Sequence, residues 1–294
     1  MTELLYFTLV GLCIGAAYAL VGSGISALFS GTGVLNFGQG EFVMIAALFV
    51  AVQTQRGENF ILASLGASLI VLAVSFVVGL LFMRSAKSRR RDIDLIILAT
   101  VGLSILLANL TGVLLGDQTY SVVSPMFGEG IAIGEFHLSY DYVAIVVVAA
   151  VVFILLAAFY RHTNVGIQMQ AMSFDVEAAR LSGVAVGRLT VVSWLLAGVV
   201  AAIGGCLLGS VILVHSTMGL ALTISGFAAA MIGGLRRPMG AILGGIILGL
   251  AETYAARYLG TSARQLIAPL VIIIVIVLLP AGILSARSVA TRKV

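Results

Sequence analysis

Two carboxylates lie in or beside long apolar stretches of this 294-residue chain, where an ionised side chain is costly. Glu41 follows Asn36 and Gln39 in a glycine-rich segment, and Glu252 lies in a later apolar stretch. An ionised carboxylate inside a bilayer costs several kcal/mol unless water, a partner or a proton meets it. Each is therefore a candidate to line a polar pathway. Alternatively, Glu41 could cap a helix N-terminus and Glu252 could pair with Arg257.

Asn109 is a milder polar candidate in another apolar stretch. It shares that stretch with Thr100, Ser104 and Thr111, and such a stripe is more typical of hydrogen bonds between helices. It could also border the same pathway. The pathway candidates are Asn36, Gln39, Glu41 and Asn109.

A third candidate is the polar stretch of residues 161–188, which no bilayer core would tolerate. It predicts a short amphipathic helix in which Ala171, Met172, Val176, Ala179 and Leu181 cluster on one side, while Asp175, Glu177 and Arg180 face away. Gly183 would end this helix, because glycine accepts a positive φ at the C′ position. A helix presented between two spans is a docking surface. The alternative is an ordinary linker with a helical turn.

The remaining reactive side chains form no catalytic or metal-binding pattern. Cys13 and Cys206 both fall in apolar stretches, where a thiol behaves as a small hydrophobe. His137, His162 and His215 are isolated, and no phosphate-binding loop is present. We expect no cofactor and no metal, so any ATP would have to be bound by another chain.

Composition indicates the elements that must position these groups. Hydrophobic residues make up 61% of the chain and charged residues 10%, whereas a soluble domain carries about 25% charged residues. We therefore predict an all-α integral membrane protein, a single transmembrane domain over residues 1–294 built as a bundle of about eight or nine helices. The first segment lacks a basic flank and a cleavage site, so we expect a permanent span. The nine segments are 4–29, 32–52, 59–83, 94–115, 142–160, 189–214, 219–235, 238–257 and 264–284.

The basic residues predict the orientation of these segments. A cluster after the third segment (Arg84, Lys87, Arg89, Arg90 and Arg91) favours the cytoplasmic side, as do Arg161, Arg180, Arg188 and the tail with Arg287, Arg292 and Lys293. The acidic loop 116–141 would then lie outside, with the N-terminus outside and the C-terminus cytoplasmic; Arg56, Arg257 and Arg264 would be external exceptions. The net charge of +4 thus reflects topology, and we expect no nucleic-acid partner.

Glycine spacing predicts close helix packing and two interruptions. Small-xxx-small pairs occur at Gly11/Gly15, Gly205/Gly209, Gly240/Gly244 and Gly245/Gly249, mostly for packing within the chain, with one or two available to a second subunit. The segments 31–41 and 233–245 interrupt apolar runs, and a pair of broken helices points to a transport pathway. Segment 233–245 could equally be a cytoplasmic turn, and 219–235 could be re-entrant.

Three motifs together carry a resemblance to a known family. Residues 36–41 read Asn-Phe-Gly-Gln-Gly-Glu, residues 177–183 read Glu-Ala-Ala-Arg-Leu-Ser-Gly, and glycine pairs bound segment 233–245. In this order they resemble the branched-chain amino acid ABC-transporter permeases of the LivH type, and the similarity in layout covers essentially the whole chain. Relatives usually have Asn-Phe-Ala-His-Gly-Glu in the first motif, so Gly38 and Gln39 are departures.

The resemblance implies a subunit of an importer in the bacterial inner membrane. Its partners would be two ATP-binding subunits, a second homologous permease, an external solute-binding protein and membrane lipid. Residues Ala171, Asp175, Glu177, Ala178, Ala179 and Gly183 would belong to the loop that couples ATP hydrolysis to the spans. Substrates of the family include leucine, isoleucine, valine, urea, amides and small carboxylates, and the residues do not choose among them. The rival hypotheses are a self-contained secondary carrier or channel, and an intramembrane enzyme.

Overall fold

The structure, a computed structural model, describes residues 2–87, 93–116, 118–125, 129–133 and 136–278. In chain order the helices are α1 (Thr2–Thr32), α2 (Gln39–Gln55), α3 (Phe60–Lys87), α4 (Ile93–Leu115), α5 (Tyr140–His162), α6 (Asn164–Phe174), α7 (Val176–Leu181), α8 (Val186–Gly209), α9 (Met218–Gly233), α10 (Gly240–Leu259) and α11 (Thr261–Leu278). A two-stranded antiparallel hairpin, β1 (Gly130–Ile133) and β2 (Phe136–Ser139), precedes α5. The fold is the expected polytopic helical bundle, with this hairpin as an addition that apolar periodicity did not indicate.

Each of the nine predicted apolar segments contains a helix. Over the described residues, seven helices are long and apolar enough to cross a membrane. The other two are α2, with 17 residues, and α9, with 16. At about 1.5 Å per residue, both fall short of a ~30 Å hydrocarbon core. Residues 88–92 and 279–294, which hold most of the predicted basic cluster and the basic tail, lie outside the described residues.

Glycines bring α1 and α10 into backbone contact, and the predicted small-residue pairs account for it. A Cβ on Gly15 would come within 2.7 Å of the Gly245 carbonyl oxygen, and one on Gly11 within 3.1 Å of the Leu250 Cα. Gly249 in turn packs on the Gly15 backbone. Side chains larger than hydrogen would push these helices apart, so the glycine pairs of α1 and α10 serve packing within the chain.

The short helix α2 lies at the centre of the bundle. Its residues are mostly buried, and α1, α3, α8 and α9 surround it. Gly205 of α8 allows this approach, because a Cβ there would overlap the Val43 carbonyl oxygen. Trp194 of α8 fills the next layer, with its ring 5.0 Å from that of Phe82 and 6.2 Å from that of Phe42. Because α2 is packed closely on several sides, the side chains in its first turn, which begins at Gln39, are held in fixed positions.

The chain segments outside the spans fall into two groups at opposite ends of the bundle. At one end, Tyr120 pairs with Val214, and the Ser124 and Ser139 hydroxyls bond the Asp141 carboxylate that starts α5. At the other end, α6 and α7 follow α5 and precede α8. The two groups are therefore separated by the length of α5 and α8, so the α6–α7 segment lies at the opposite end of the bundle from Asp141.

Candidate functional site

The break between α1 and α2 is built by local turns over residues 33–38. Gly33 adopts φ 68°, and the Thr32 hydroxyl accepts from the Val34 amide at 3.1 Å. The Asn36 side-chain oxygen accepts from the Gly38 amide at 2.9 Å, a turn typical of asparagine. These side chains satisfy backbone groups that a continuous helix would otherwise have satisfied, so the interruption predicted around residues 31–41 is confirmed.

Groups on three other helices, one of them a main-chain carbonyl, hold this break inside the bundle. Gln39 donates from its amide nitrogen to the Ala197 carbonyl, near the middle of α8, at 3.0 Å. The Gly40 amide donates to the Thr223 hydroxyl of α9 at 2.9 Å, and the Thr100 hydroxyl of α4 lies 3.4 Å from the Phe37 amide. Because Ala197 lies near the middle of a full span, α2 begins at membrane depth, where only protein can satisfy its free amides.

Glu41 lies in the first turn of α2 and is 1% exposed. Its Oε1 accepts from the Ser104 hydroxyl of α4 at 2.9 Å, while Oε2 has no hydrogen-bond partner within the described chain. The carboxyl group also packs against Gly219, where a Cβ would overlap it. Gly219 lies in the first turn of α9, so the carboxyl group lies between the N-termini of two helices.

This position has a defined electrostatic character. Each helix N-terminus carries a partial positive charge, which stabilises a nearby anion by about 0.3–1 kcal/mol and by up to about 2 kcal/mol in buried geometry. None of the ion pairs of the described residues involves Glu41. The arrangement can attract a cationic group to the carboxylate. Within the described residues no backbone amide donates to the Glu41 side chain, so the proposed cap interaction does not form there.

Asn109 lies apart from this cluster, further along α4. It is exposed, and its amide nitrogen donates to the Ile105 carbonyl of its own helix at 2.7 Å. Ser216 and Thr217, which precede α9, line a cavity of about 380 Å³ with it. The structure therefore brings Asn36, Gln39 and Glu41 together and places Asn109 at a neighbouring opening.

The second interrupted segment is a turn and not a break at membrane depth. α9 and α10 are joined by residues 234–239, in which the Arg237 amide donates to the Gly234 carbonyl at 2.9 Å. Gly233 and Gly240 touch backbone to backbone where the two helices cross. The partner of the α1–α2 break is instead the non-helical segment 210–217, which delivers the α9 N-terminus to Glu41. The first residues of this segment fall in the apolar stretch predicted over 189–214. The span itself is present as α8, but it ends at Gly209 and not at residue 214.

Glu252 does not pair with Arg257, contrary to the alternative raised from the sequence. Its Oε2 accepts from the Tyr18 hydroxyl at 2.7 Å and from Arg264 Nε at 3.2 Å. Arg257 pairs with Glu3 instead. Arg257 lies five positions along α10, beyond the i+3 and i+4 neighbours of a helix, whereas the bundle brings Arg264 of α11 back onto α10. Arg257 and Arg264 are thus both ion-paired, while the side of the membrane on which they lie stays a prediction from the charge distribution.

The polar stretch between α5 and α8 forms two helices and not one. Asp175 lies between them in extended conformation, and its Oδ1 accepts from the Glu177 and Ala178 amides at 2.9 and 3.0 Å as the N-cap of α7. Gly183, at φ 84°, ends α7. Its amide donates to the Arg180 carbonyl and the Val184 amide to the Ala179 carbonyl, which is the Schellman arrangement.

The cap at Asp175 changes which side chains are presented. Ala179 is buried against the bundle, whereas Ala171 and Ala178 are exposed. Leu181 is 88% exposed and Phe174 79% exposed. The predicted cluster of five apolar residues is therefore confirmed only in part: Met172, Val176 and Ala179 pack in one cluster, whereas Ala171 and Leu181 are exposed. A new helix begins at 176 and shifts the helical phase. Phe174, at the end of α6, and Leu181, at the end of α7, are exposed apolar residues that the sequence did not single out.

The α6–α7 pair is fixed to the end of α1. Met169 of α6 is fully buried, and its Cε would lie 3.0 Å from a Cβ placed on Gly31. Gly31 lies two residues before Gly33, where the break that leads to Glu41 begins. A displacement of α6 would thus reach the α1–α2 break through direct packing.

In the described part of the chain, no three or more His, Cys, Asp or Glu side chains lie close enough together to hold a metal ion. Cys13 and Cys206 are free and buried.

The comparisons with known proteins agree with this architecture. A family described as the permease component of the branched-chain amino acid transport system matches residues 7–279. LivH of Escherichia coli, a high-affinity branched-chain amino acid transport system permease protein, is 28% identical over 95% of this chain and 94% of its own. BraD of Pseudomonas aeruginosa, of the same description, is 29% identical over 95% of both chains.

A more distant relative is the galactose/methyl galactoside import permease MglC of Escherichia coli, which is 29% identical over 46% of this chain. No solved structure matches the chain. The family match spans every described helix except the first residues of α1, including the α1–α2 break, α6, α7 and the segment before α9. The chain belongs to the family of branched-chain amino acid transport system permease components.

Proposed function

We propose that this chain is the transmembrane permease subunit of an ATP-binding-cassette importer for branched-chain amino acids or a related small polar or amphipathic solute. The observation that carries the proposal is the family match over nearly the whole chain. ATP would be bound and hydrolysed by separate subunits, so the chain itself would be no enzyme.

The proposed solute path passes the junction of α2 and α9. A branched-chain amino acid carries an ammonium, a carboxylate and an apolar side chain. Glu41 offers an oxygen without a partner, the two helix N-termini offer positive potential, and α2 offers apolar neighbours. Asn36 and Gln39 shape this junction through their hydrogen bonds, and Asn109 borders its proposed outer approach. With Glu41 buried, the path is occluded in this conformation.

The proposed coupling element is the α6–α7 pair. Its exposed apolar residues, Phe174 and Leu181, suit a groove on an ATP-binding subunit. Glu177, exposed and paired with Arg180 at 3.1 Å, would add a polar contact. Asp175 and Gly183 fix the start and end of α7, Ala171 and Ala178 are exposed, and Ala179 anchors α7 to the bundle. Movement of the ATP-binding subunits would pass through Met169 and Gly31 to the α1–α2 break.

The proposed assembly contains two ATP-binding subunits, a second homologous permease and an external solute-binding protein, in a bacterial inner membrane. The exposed apolar face of α4 is one surface that a second permease could cover in place of lipid. In the described structure α4 packs mainly on α2, and Leu106, Leu110 and Val113 remain exposed. The N-terminus would lie outside and α6–α7 in the cytoplasm.

Purification from native membrane in mild detergent tests the proposal. We expect ATP-binding subunits to accompany the full chain, and ATP hydrolysis to rise when solute-loaded binding protein is added. Solute uptake by the chain alone in vesicles under an ion gradient, without an ATP-binding subunit, would establish the secondary carrier instead.

A further inference from the structure

A cavity at the end of the bundle that carries α6 is not used by the proposed transport cycle. It has a volume of about 480 Å³, within the roughly 300–1,000 Å³ range of small-molecule sites. Its walls come from the ends of α1 and α5, from α6 and from the α9–α10 turn. The lining residues are Ser30, Ala157, Tyr160, Arg161, Gln170, Ser173, Phe174, Arg236, Arg237, Pro238 and Met239.

The charge of this cavity is of one sign. Three arginines line it, from α5 and from the α9–α10 turn, and none of its lining residues is acidic. Within the described residues, Arg161 and Arg236 form no ion pair and donate no side-chain hydrogen bond. Guanidinium groups recognise phosphate through paired N–H donors, so this lining selects for an anion with several oxygens.

A tyrosine of α5 closes one wall of the cavity. Tyr160 lines the cavity and is 6% exposed, and its hydroxyl is fully enclosed without a hydrogen-bond partner in the described part of the chain. An anion bound in the cavity would therefore meet the arginines and not this hydroxyl. The neighbouring Gln170 amide already donates to the Tyr160 carbonyl at 3.0 Å, which holds α6 against this residue.

The lining also fits the position of the cavity in the membrane. Ala157, Phe174 and Met239 give it an apolar side, and it lies where spans meet the polar loops. Phosphate groups occur there either as headgroups of anionic lipids or as free phosphate. We propose that this cavity binds a phosphate group through Arg161 and Arg236, and so ties α5 to the α9–α10 turn. The proposal is independent of the transported solute.

Calorimetric titration of the purified full chain tests the site with three probes: short-chain phosphatidylglycerol, short-chain phosphatidylcholine and inorganic phosphate. We expect Arg161→Gln with Arg236→Gln to weaken anion binding by roughly tenfold or more, as the loss of charge-assisted hydrogen bonds predicts. Tyr160→Phe should leave anion binding unchanged, because the enclosed hydroxyl does not face the cavity. Arg188→Gln is the matched control, because Arg188 is an exposed arginine near the same end and does not line the cavity.

The probes separate the two sources of phosphate. Tight binding of phosphatidylglycerol with weak binding of inorganic phosphate assigns a lipid headgroup, and equal binding assigns free phosphate. Binding of neither anion would overturn the proposal, as would equal losses in the double arginine variant and in Arg188→Gln. A loss of ATP-binding subunits in the arginine variants with anion binding unchanged would overturn it as well, since the arginines would then serve protein docking.

Discussion

Glu41 is a carboxyl group at membrane depth, and the free-energy cost of burying it exceeds what its neighbours return. Placing it there costs about 2.5–3.5 kcal/mol on an insertion scale. Two helix N-termini and the Ser104 hydroxyl return part of this cost, but one oxygen is left without a partner in the described chain. A residue kept for structure alone would be cheaper as an apolar side chain. We therefore expect the carboxyl group to act on the solute.

Glu41→Gln tests this expectation because it keeps the volume and removes the charge. We expect solute uptake by the assembled importer to fall roughly tenfold or more, as the loss of a charged hydrogen-bond partner predicts, with folding unchanged. Glu41→Leu should lower it further. If both variants transport normally with normal ATP hydrolysis, the path lies elsewhere.

Ser104→Ala serves as the control for structural loss at the same site. It removes the hydrogen bond to Glu41 and leaves the carboxyl group in place. Hydrogen bonds between membrane helices contribute about 0.6 kcal/mol on average and about 1.7 kcal/mol at most. Thermal unfolding in detergent should therefore change little.

Gly219 tests the close approach of α9 to the carboxyl group. In Gly219→Ala the new Cβ would overlap the Glu41 carboxyl, so we expect a cost of about 1–3 kcal/mol in unfolding free energy and lower uptake. Glu41→Asp, which shortens the side chain, should recover part of the stability in the double variant. Gly204→Ala is the control, since its Cβ would meet only Leu20 Cβ at 3.7 Å. Equal stability of the two alanine variants would contradict the close packing of Gly219 against Glu41.

At the scale of elements, α7 depends on its two ends. Gly183 takes φ 84° with open space around it, so a bulky side chain there strains the backbone without touching the bundle. We expect Gly183→Val, at a cost of about 1–2 kcal/mol, to insert and fold, yet to lose substrate-stimulated ATP hydrolysis and retain less ATP-binding subunit. Glu177→Lys should act in the same direction.

Gly57→Val is the matched control for backbone strain. Gly57 has φ 89° and open space around it, in the loop between α2 and α3 at the opposite end of α2 from the break. It should lose similar stability but keep stimulated ATP hydrolysis. Normal transport by the Gly183→Val, Glu177→Lys double variant without any ATP-binding subunit would falsify the importer assignment.

The elements also show which features the sequence could and could not predict. Gly183 was predictable, because a helix end that requires positive φ selects glycine locally. The exposure of Leu181 was not, because Asp175 starts a new helix and its cap resets the phase. Segment 210–217 was hidden for another reason: its apolar residues resemble a span, and Val214 is in fact buried in a loop. Glu252 and Arg264 lie on different helices, so their ion pair depends on how α11 packs against α10 and cannot be read from spacing along one helix.

At the scale of the whole molecule, orientation remains a prediction from charge. We expect Ser173→Cys to resist an impermeant thiol reagent in intact cells and to react after permeabilisation, and Val123→Cys to react in both. Cys13→Ala and Cys206→Ala provide the background, and both native thiols are buried. Strong labelling of position 173 in intact cells would show that α6 lies outside and would contradict the predicted orientation.

Gly31 lies where α6 contacts the end of α1, so movement of α6 would reach the α1–α2 break through it. Gly31 packs against Met169 of α6 and Ser193 of α8, just before the α1–α2 break. A Cβ there would overlap the Ser193 side chain, so Gly31→Ala must shift α1 relative to α6 or α8. We expect ATP hydrolysis and subunit retention to persist while solute moved per ATP falls severalfold, because overpacking of about 1–3 kcal/mol displaces the contact and leaves the docking surface intact.

A second substitution separates this effect from general damage. The Ser193 hydroxyl donates to the Leu189 carbonyl of its own helix, so Ser193→Ala alone should be nearly neutral. Combined with Gly31→Ala, it removes the overlapping oxygen and should partly restore the coupling ratio. Gly102→Ala is the control, since a Cβ there meets open space. If Gly31→Ala lowers hydrolysis and transport in equal proportion, with no recovery in the double variant, movement does not pass through the end of α1.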